Sequence, residues 1–126
     1  MNVKQAIIIR RDLKMRRGKE IAQGSHASMA FLTKRITTST NHAILTLSEA
    51  EKEWLNSGTK KIVLQAPTET DLIDLQDHAK QLGLETNLIV DHGLTEFNGV
   101  PTITALAIGP GPEGAINLVT AALTLY

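Results

Sequence analysis

Apolar residues along the 126-residue chain alternate between short β-branched runs and stretches with helical spacing. Val3 to Ile9 is rich in β-branched residues and reads as a buried strand. A basic loop, 10–18, follows. From Lys19 to Arg35, the residues Ile21, Ala22, Ser25, Ser28, Met29 and Leu32 recur at steps of three and four. That spacing predicts a helix with one face of apolar and small residues. Small side chains there let the backbone pack close to a sheet, or let a ligand approach. Residues 37–47 read as irregular. Ser48 with Glu51 is a capping-box pair that opens a short helix through Trp54, and Gly58 suits its end.

Lys60 to Ala66 reads as a second strand, stopped by Pro67. Thr68 with Asp71 caps a helix carrying Leu72, Ile73, Leu75, Ala79 and Leu82, with Gly83 as its stop. Leu84 to Val90 is a third strand ending in Asp91, and Thr102 to Ile108 a fourth. Gly109-Pro110-Gly111-Pro112 is expected to break the fourth strand and start a last helix, Glu113 to Leu123. The element order predicts one domain over 1–126: a three-layer α/β/α sandwich around a small four-stranded mixed, mostly parallel sheet. The third and fourth strands lack a helix between them, so that step is antiparallel. In open sheets ligands collect at the carboxyl ends of parallel strands. The loop after the first strand, Ala66-Pro67 and Asp91 should therefore share one edge.

Composition narrows the function. No apolar run approaches membrane-spanning length, and Ala6 to Ile9 is too short for a signal-peptide core. The chain has no cysteine, which excludes thiolate nucleophiles and Cys-based zinc sites and suits a cytoplasmic protein. The zero net charge conceals a split: residues 1–40 carry +7 and the rest −7. Arg10, Arg11, Lys14, Arg16, Arg17 and Lys19 concentrate the positive part just before and at a helix start. Backbone N–H groups and the helix dipole there favour anions, so the cluster is a candidate phosphate-backbone contact. Acids on the two middle helices are expected to lie away from it.

Asp91-His92-Gly93-Leu94-Thr95 places a carboxylate at the lip of the sheet. Asp91 is a candidate base or water-orienting group, with Thr95 fixing it by a hydrogen bond. The alternative is a turn in which both residues only cap loop backbone. Lys19, Gln23 and His26 share a helix face and could line a pocket. The four histidines are scattered, so no metal site is expected.

The run Lys14-Met15-Arg16-Arg17-Gly18-Lys19-Glu20-Ile21-Ala22-Gln23-Gly24-Ser25-His26-Ala27 resembles the signature of the type 2 peptidyl-tRNA hydrolases. Ala66-Pro67, Asp91-His92-Gly93-Leu94-Thr95-Glu96 and Ala107-Ile108-Gly109-Pro110-Gly111-Pro112 agree with it in order. The chain departs from the family's common pattern at Arg16-Arg17, Gly24, His92 and Leu94. The resemblance implies a compact α/β/α fold, a homodimer, and hydrolysis of the ester between peptide and tRNA without a cofactor or metal. It implies Lys19, Asp91 and Thr95 as catalytic residues, and Gln23, Ser25 and His26, with His92 alongside, as pocket-lining. Arg10, Arg11, Lys14, Arg16 and Arg17 would meet tRNA phosphates. A non-catalytic tRNA- or protein-binding module of the same fold is the competing expectation.

Overall fold

The computed structural model describes residues 1–126. In chain order the elements are β1 (Val3–Arg10), α1 (Arg17–Thr33), β2 (Thr37–Ser39), β3 (His42–Ile44), α2 (Glu49–Asn56) and β4 (Lys61–Ala66). Then come α3 (Glu69–Gln81), β5 (Thr86–Asp91), β6 (Thr102–Pro112), α4 (Glu113–Thr120) and β7 (Thr124–Leu125). Both expected capping boxes are formed, Ser48 with Glu51 and Thr68 with Asp71. They fix the starts of α2 and α3 by satisfying N–H groups that have no partner within the helix.

The main sheet has five strands, not four, in the order β5-β6-β1-β4-β7. It is also not mostly parallel. Only β1 and β4 pair in parallel, while β6 is antiparallel to both β1 and β5, and β7 is antiparallel to β4. The short 92–101 loop returns β6 between β5 and β1, and the last residues fold back beside β4 as β7. The Gly-Pro-Gly-Pro run does not break β6, which continues through Pro112. A register shift opposite Lys4 and Ala6 accommodates it. Gly109 has φ +92°, and a Cβ there would lie 2.8 Å from the Lys4 carbonyl, so only glycine fits. Residues 37–44, read as irregular, form the exposed two-stranded hairpin β2–β3.

Alternate residues of the strands feed two cores. Ala6, Ile8, Leu64, Leu106 and Ile108 meet Leu72 and Ala79 of α3 and Ile116 and Val119 of α4. On the other face Ile7, Ile9, Ile89, Ala105 and Ala107 meet Ala27 and Ala30 of α1. A third cluster joins Val3, Phe31 and Trp54 under α2. Arg35, just past α1, grips Glu51 with two 2.7 Å hydrogen bonds and reaches Glu85 at 2.9 Å.

The phase of α1 differs from its sequence pattern. Its buried stripe is Glu20, Gln23, Ala27, Ala30 and Phe31, whereas Ile21, Ala22, Ser25 and Met29 are exposed. Ile21, Ser25, Ser28 and Met29 line an open groove of about 690 Å³ with Ile7, Ile9 and Val63, because no helix packs over the β4 side of that face.

Candidate active site

β1, β4 and β5 point the same way, so their carboxyl ends share an edge as expected. The 11–16 loop, Pro67 and Asp91 gather there, and α1 begins at the same edge. α3 begins there too, so Glu69 and Asp71 also lie at the basic edge rather than away from it. α2 is joined to the opposite edge through Arg35, Glu51 and Glu85.

Lys19 Nζ donates to Asp91 Oδ1 at 2.8 Å and to Thr95 Oγ1 at 3.0 Å. Gln23 Nε2 donates to the same Asp91 oxygen at 3.2 Å, and the Gly93 backbone N–H donates to Asp91 Oδ2 at 2.8 Å. Both the Lys19 and Asp91 side chains are mostly buried. The Lys19 hydrogen bond, aided by the Gly93 N–H and opposed by partial burial, holds the Asp91 carboxyl below its ordinary range. Thr95 therefore positions the lysine rather than the aspartate. The aspartate is fixed by Gly93 and Gln23 instead, because the turn at Gly93 brings its own N–H back onto the carboxylate. Gly93 has φ +79°, and a Cβ would stand 2.7 Å from the Val100 backbone N and O. Together with the Gly99 N–H bond to the Gly93 carbonyl, this closes the loop that carries Thr95.

Thr104 was not singled out by sequence reasoning, yet it is central. Its buried hydroxyl donates to Gln23 Oε1 at 2.5 Å. The β5–β6 register shifts between Ile89 and Val90, whose partners are Ala105 and Ile103. Thr104 is the extra residue, a β-bulge that turns its side chain toward α1. Ile103 packs on the α3 side, while the consecutive residues Thr104 and Ala105 both face α1. A lone polar residue inside the apolar 103–108 run was the available signal.

His26 and His92 are exposed and face a cleft of about 460 Å³ between α1 and β5, whose end is Gln23 and Asp91. Ser25 is not brought to this site. It lies on the other flank of α1, bonded to the Ile21 carbonyl and lining the apolar groove. The five loop cations also divide. Arg10 is paired with Asp12 at 2.7 Å and bonds the Ile103 carbonyl. Arg11 is held by Glu20 at 3.4 Å and Gln65 at 3.2 Å, and it stacks 4.0 Å over the Tyr126 ring. The Tyr126 hydroxyl donates to Glu20. Lys14, Arg16 and Arg17 are exposed and make no ion pair. No three His, Cys, Asp or Glu side chains converge as metal ligands would.

The fold and site define a small α/β protein with a lysine–aspartate pair at the carboxyl edge of its sheet, beside free cations. A family model described as peptidyl-tRNA hydrolase PTH2 matches residues 3–126, and the chain belongs to that family. The peptidyl-tRNA hydrolase of Thermococcus sibiricus is 41% identical over 124 residues, spanning 97% of this chain and 96% of that protein. That of Pyrobaculum aerophilum is 39% identical over 127 residues, spanning 100% and 99%. The human protein named peptidyl-tRNA hydrolase 2, mitochondrial, is 42% identical over 123 residues, and the match covers 98% of this chain and 64% of the human one. A solved protein of unknown function from Agrobacterium tumefaciens shares the fold, with a TM-score of 0.60 at 11% identity over the whole chain. No helix is long and apolar enough to cross a membrane.

Proposed function

We propose that this chain hydrolyses the ester joining a peptide to the 3′ ribose of tRNA, with Lys19 and Asp91 as its catalytic residues. The observation that carries this reading is the Lys19–Asp91 pair, held by Gln23, Gly93 and Thr95 at an edge with three unpaired cations. At rest the ammonium keeps Asp91 ionised but weakly basic. When the ester carbonyl arrives, Lys19 turns from Asp91 toward the developing oxyanion, where its charge stabilises the transition state. The same movement removes the group that depresses Asp91, so its proton affinity rises as it takes a proton from the attacking water; it returns that proton to the ribose 3′ oxygen as the acyl–oxygen bond breaks, leaving a peptide carboxylate and free tRNA. Thr95 holds Lys19 at the carbonyl side, and Gln23 keeps the carboxylate oriented. The reaction needs no metal, so a chelator should leave the rate unchanged.

Lys14, Arg16 and Arg17 meet the tRNA backbone, giving salt-sensitive binding with little dependence on sequence. Arg10 and Arg11 act at one remove, shaping the edge through their own ion pairs. The protein works as a homodimer in this reading, with the open groove around Ile21 and Val63 at the contact between copies.

Release of N-acetylated amino acid from N-acetyl-aminoacyl-tRNA tests the chemistry. Lys19→Ala and Asp91→Asn should each lose about 10²–10³ in rate. Near wild-type turnover by both would sink the mechanism. Retained tRNA binding by a wild-type protein with no cleavage would favour the non-catalytic module instead.

A further inference from the structure

β5 is an edge strand, and the 460 Å³ cleft runs along it from Asp91. Five consecutive β5-side residues, Leu88 to His92, line this cleft. Side chains in a strand alternate between faces, so a surface touched by every residue in turn is the strand's edge and not one of its faces. The hydrogen-bond phase says which backbone groups lie on that edge. The Gly109 N–H donates to the Glu85 carbonyl at 2.8 Å across the β5–β6 ladder. The register continues as Asn87 with Ala107 and Ile89 with Ala105. In an antiparallel ladder the residues between these turn their N–H and C=O groups outward. The bulge adds its residue to β6 and leaves the alternation of β5 intact. Leu88 and Val90 therefore present backbone donors and acceptors to the cleft. Proteins usually blunt or cover such an edge, whereas here it is bare and Val90 is 47% exposed.

We infer that this edge is the track for the peptide part of the substrate, which adds to the sheet as an extra strand. The inference rests on the hydrolase reading above and specifies where the acyl chain lies. The occupant follows from continuity, because the cleft ends on Asp91 and Gln23, where the ester carbonyl must sit. The peptide's carboxyl end is fixed at Asp91, so the peptide runs parallel to β5 with its amino end toward Leu88 and Lys34. From Asp91 to Leu88 is three residues, roughly 10 Å, so about three substrate residues are held. N–H groups of alternate substrate residues donate to the Leu88 and Val90 carbonyls, and the N–H groups between them point away. Recognition through main chain suits a substrate whose side chains can be anything, since only the backbone is common to all peptides. Met29, Ala30 and Thr33 of α1 form the opposing wall, leaving room for varied side chains.

The test uses the wild-type protein and a series of tRNA esters carrying an N-acetylated chain of one, two, three, four and six residues. The expected result is a kcat/KM that rises with length to about three residues and then levels. Each added bond contributes about two- to tenfold. N-methylation of the substrate backbone should cost the same factor at alternate positions and little at those between. In the parallel pairing the Val90 N–H donates to a substrate carbonyl, so Val90→Pro, which removes that edge N–H and no ladder bond, should lower the ratio of the three-residue to the one-residue substrate by about two- to tenfold. That ratio is taken within one protein preparation, so it is insensitive to the folded fraction. Cleavage of every substrate with the same kcat/KM overturns the track and leaves the hydrolase reading standing. Failure to cleave any of them overturns the hydrolase reading and the track with it.

Discussion

The two flanks of α1 present opposite surfaces at the same distance along the helix. On one, Lys19, Gln23 and His26 face β5 and line a polar site that ends on a carboxylate. On the other, Ile21, Gly24 and Ser25 face the uncovered side of β1 and β4 across an apolar groove. The first flank is densely bonded: Lys19, Gln23, Asp91, Thr95 and Thr104 form one connected network with no unsatisfied buried side-chain atom. The second holds its polar groups locally, as Ser25 shows by bonding its own helix one turn back. One helix thus separates a surface suited to chemistry from a surface suited to contact.

The largest test of this contrast is a pair of substitutions. Asp91→Asn should lose about 10²–10³ in rate, while Ser25→Ala, on the opposite flank, should keep turnover within about twofold. Equal losses would mean that both flanks belong to the active site. Next in size is Thr104→Val, which leaves Gln23 Oε1 buried without a donor. A cost of about 1–3 kcal/mol in folding stability is expected, read as a lower urea midpoint. Turnover should fall with it as Asp91 loses its orientation, and unchanged stability and turnover would show the bulge to be incidental.

Replacing Lys14, Arg16 and Arg17 together by Gln should reduce the slope of log affinity for tRNA against log salt by about two to three. The same replacement of Arg10 and Arg11 should reduce it less, since both are already engaged within the protein. A smaller effect is expected in the pH profile. Asp91 is depressed chiefly by the Lys19 hydrogen bond, so the free enzyme stays active until the pH falls below the usual carboxylate range near 4. In the substrate complex Lys19 has moved, the depression is relieved, and the acid limb of kcat should lie at higher pH than that of kcat/KM. Coincident limbs would mean that Lys19 stays on Asp91 through the reaction. The smallest effect on catalysis is expected from Ile21→Glu in the groove. It should shift sedimentation toward monomer while hydrolysis of the one-residue ester persists, and an unchanged sedimentation coefficient would remove the groove from any interface.

The cation cluster and Asp91 were legible because their signal is local, six cations within ten residues and a carboxylate at a strand end, whereas Lys19 and Thr95 were singled out as catalytic by the resemblance. The convergence of three strand ends at one edge followed from connectivity, and it survived a wrong strand count because the unforeseen β7, like the expected β6, runs antiparallel without reversing β1, β4 or β5. The phase of α1 misled for a physical reason. Its strongest apolar period marks the face left open, while the buried face is built from Glu20, Gln23 and small residues that carry little periodic signal. The role given to Thr95 was displaced by contacts no spacing reveals, since the lysine lies closer to its hydroxyl than the pattern implies. Thr104 was hidden because a bulge reverses the facing that strict alternation assigns.

The short bond from Thr104 to Gln23 has one more consequence. An ionised Asp91 can only accept, so the glutamine must present its NH₂ to the carboxylate and its carbonyl to Thr104. The threonine hydroxyl must then point its hydrogen at Gln23, buried between the sheet and α1. The rotor of a buried hydroxyl thereby records the charge state of a carboxylate two links away. Gln23→Glu would break that record by setting two acids about 3 Å apart, where they would share a single proton and Asp91 would change from a lone acceptor into half of a coupled dyad.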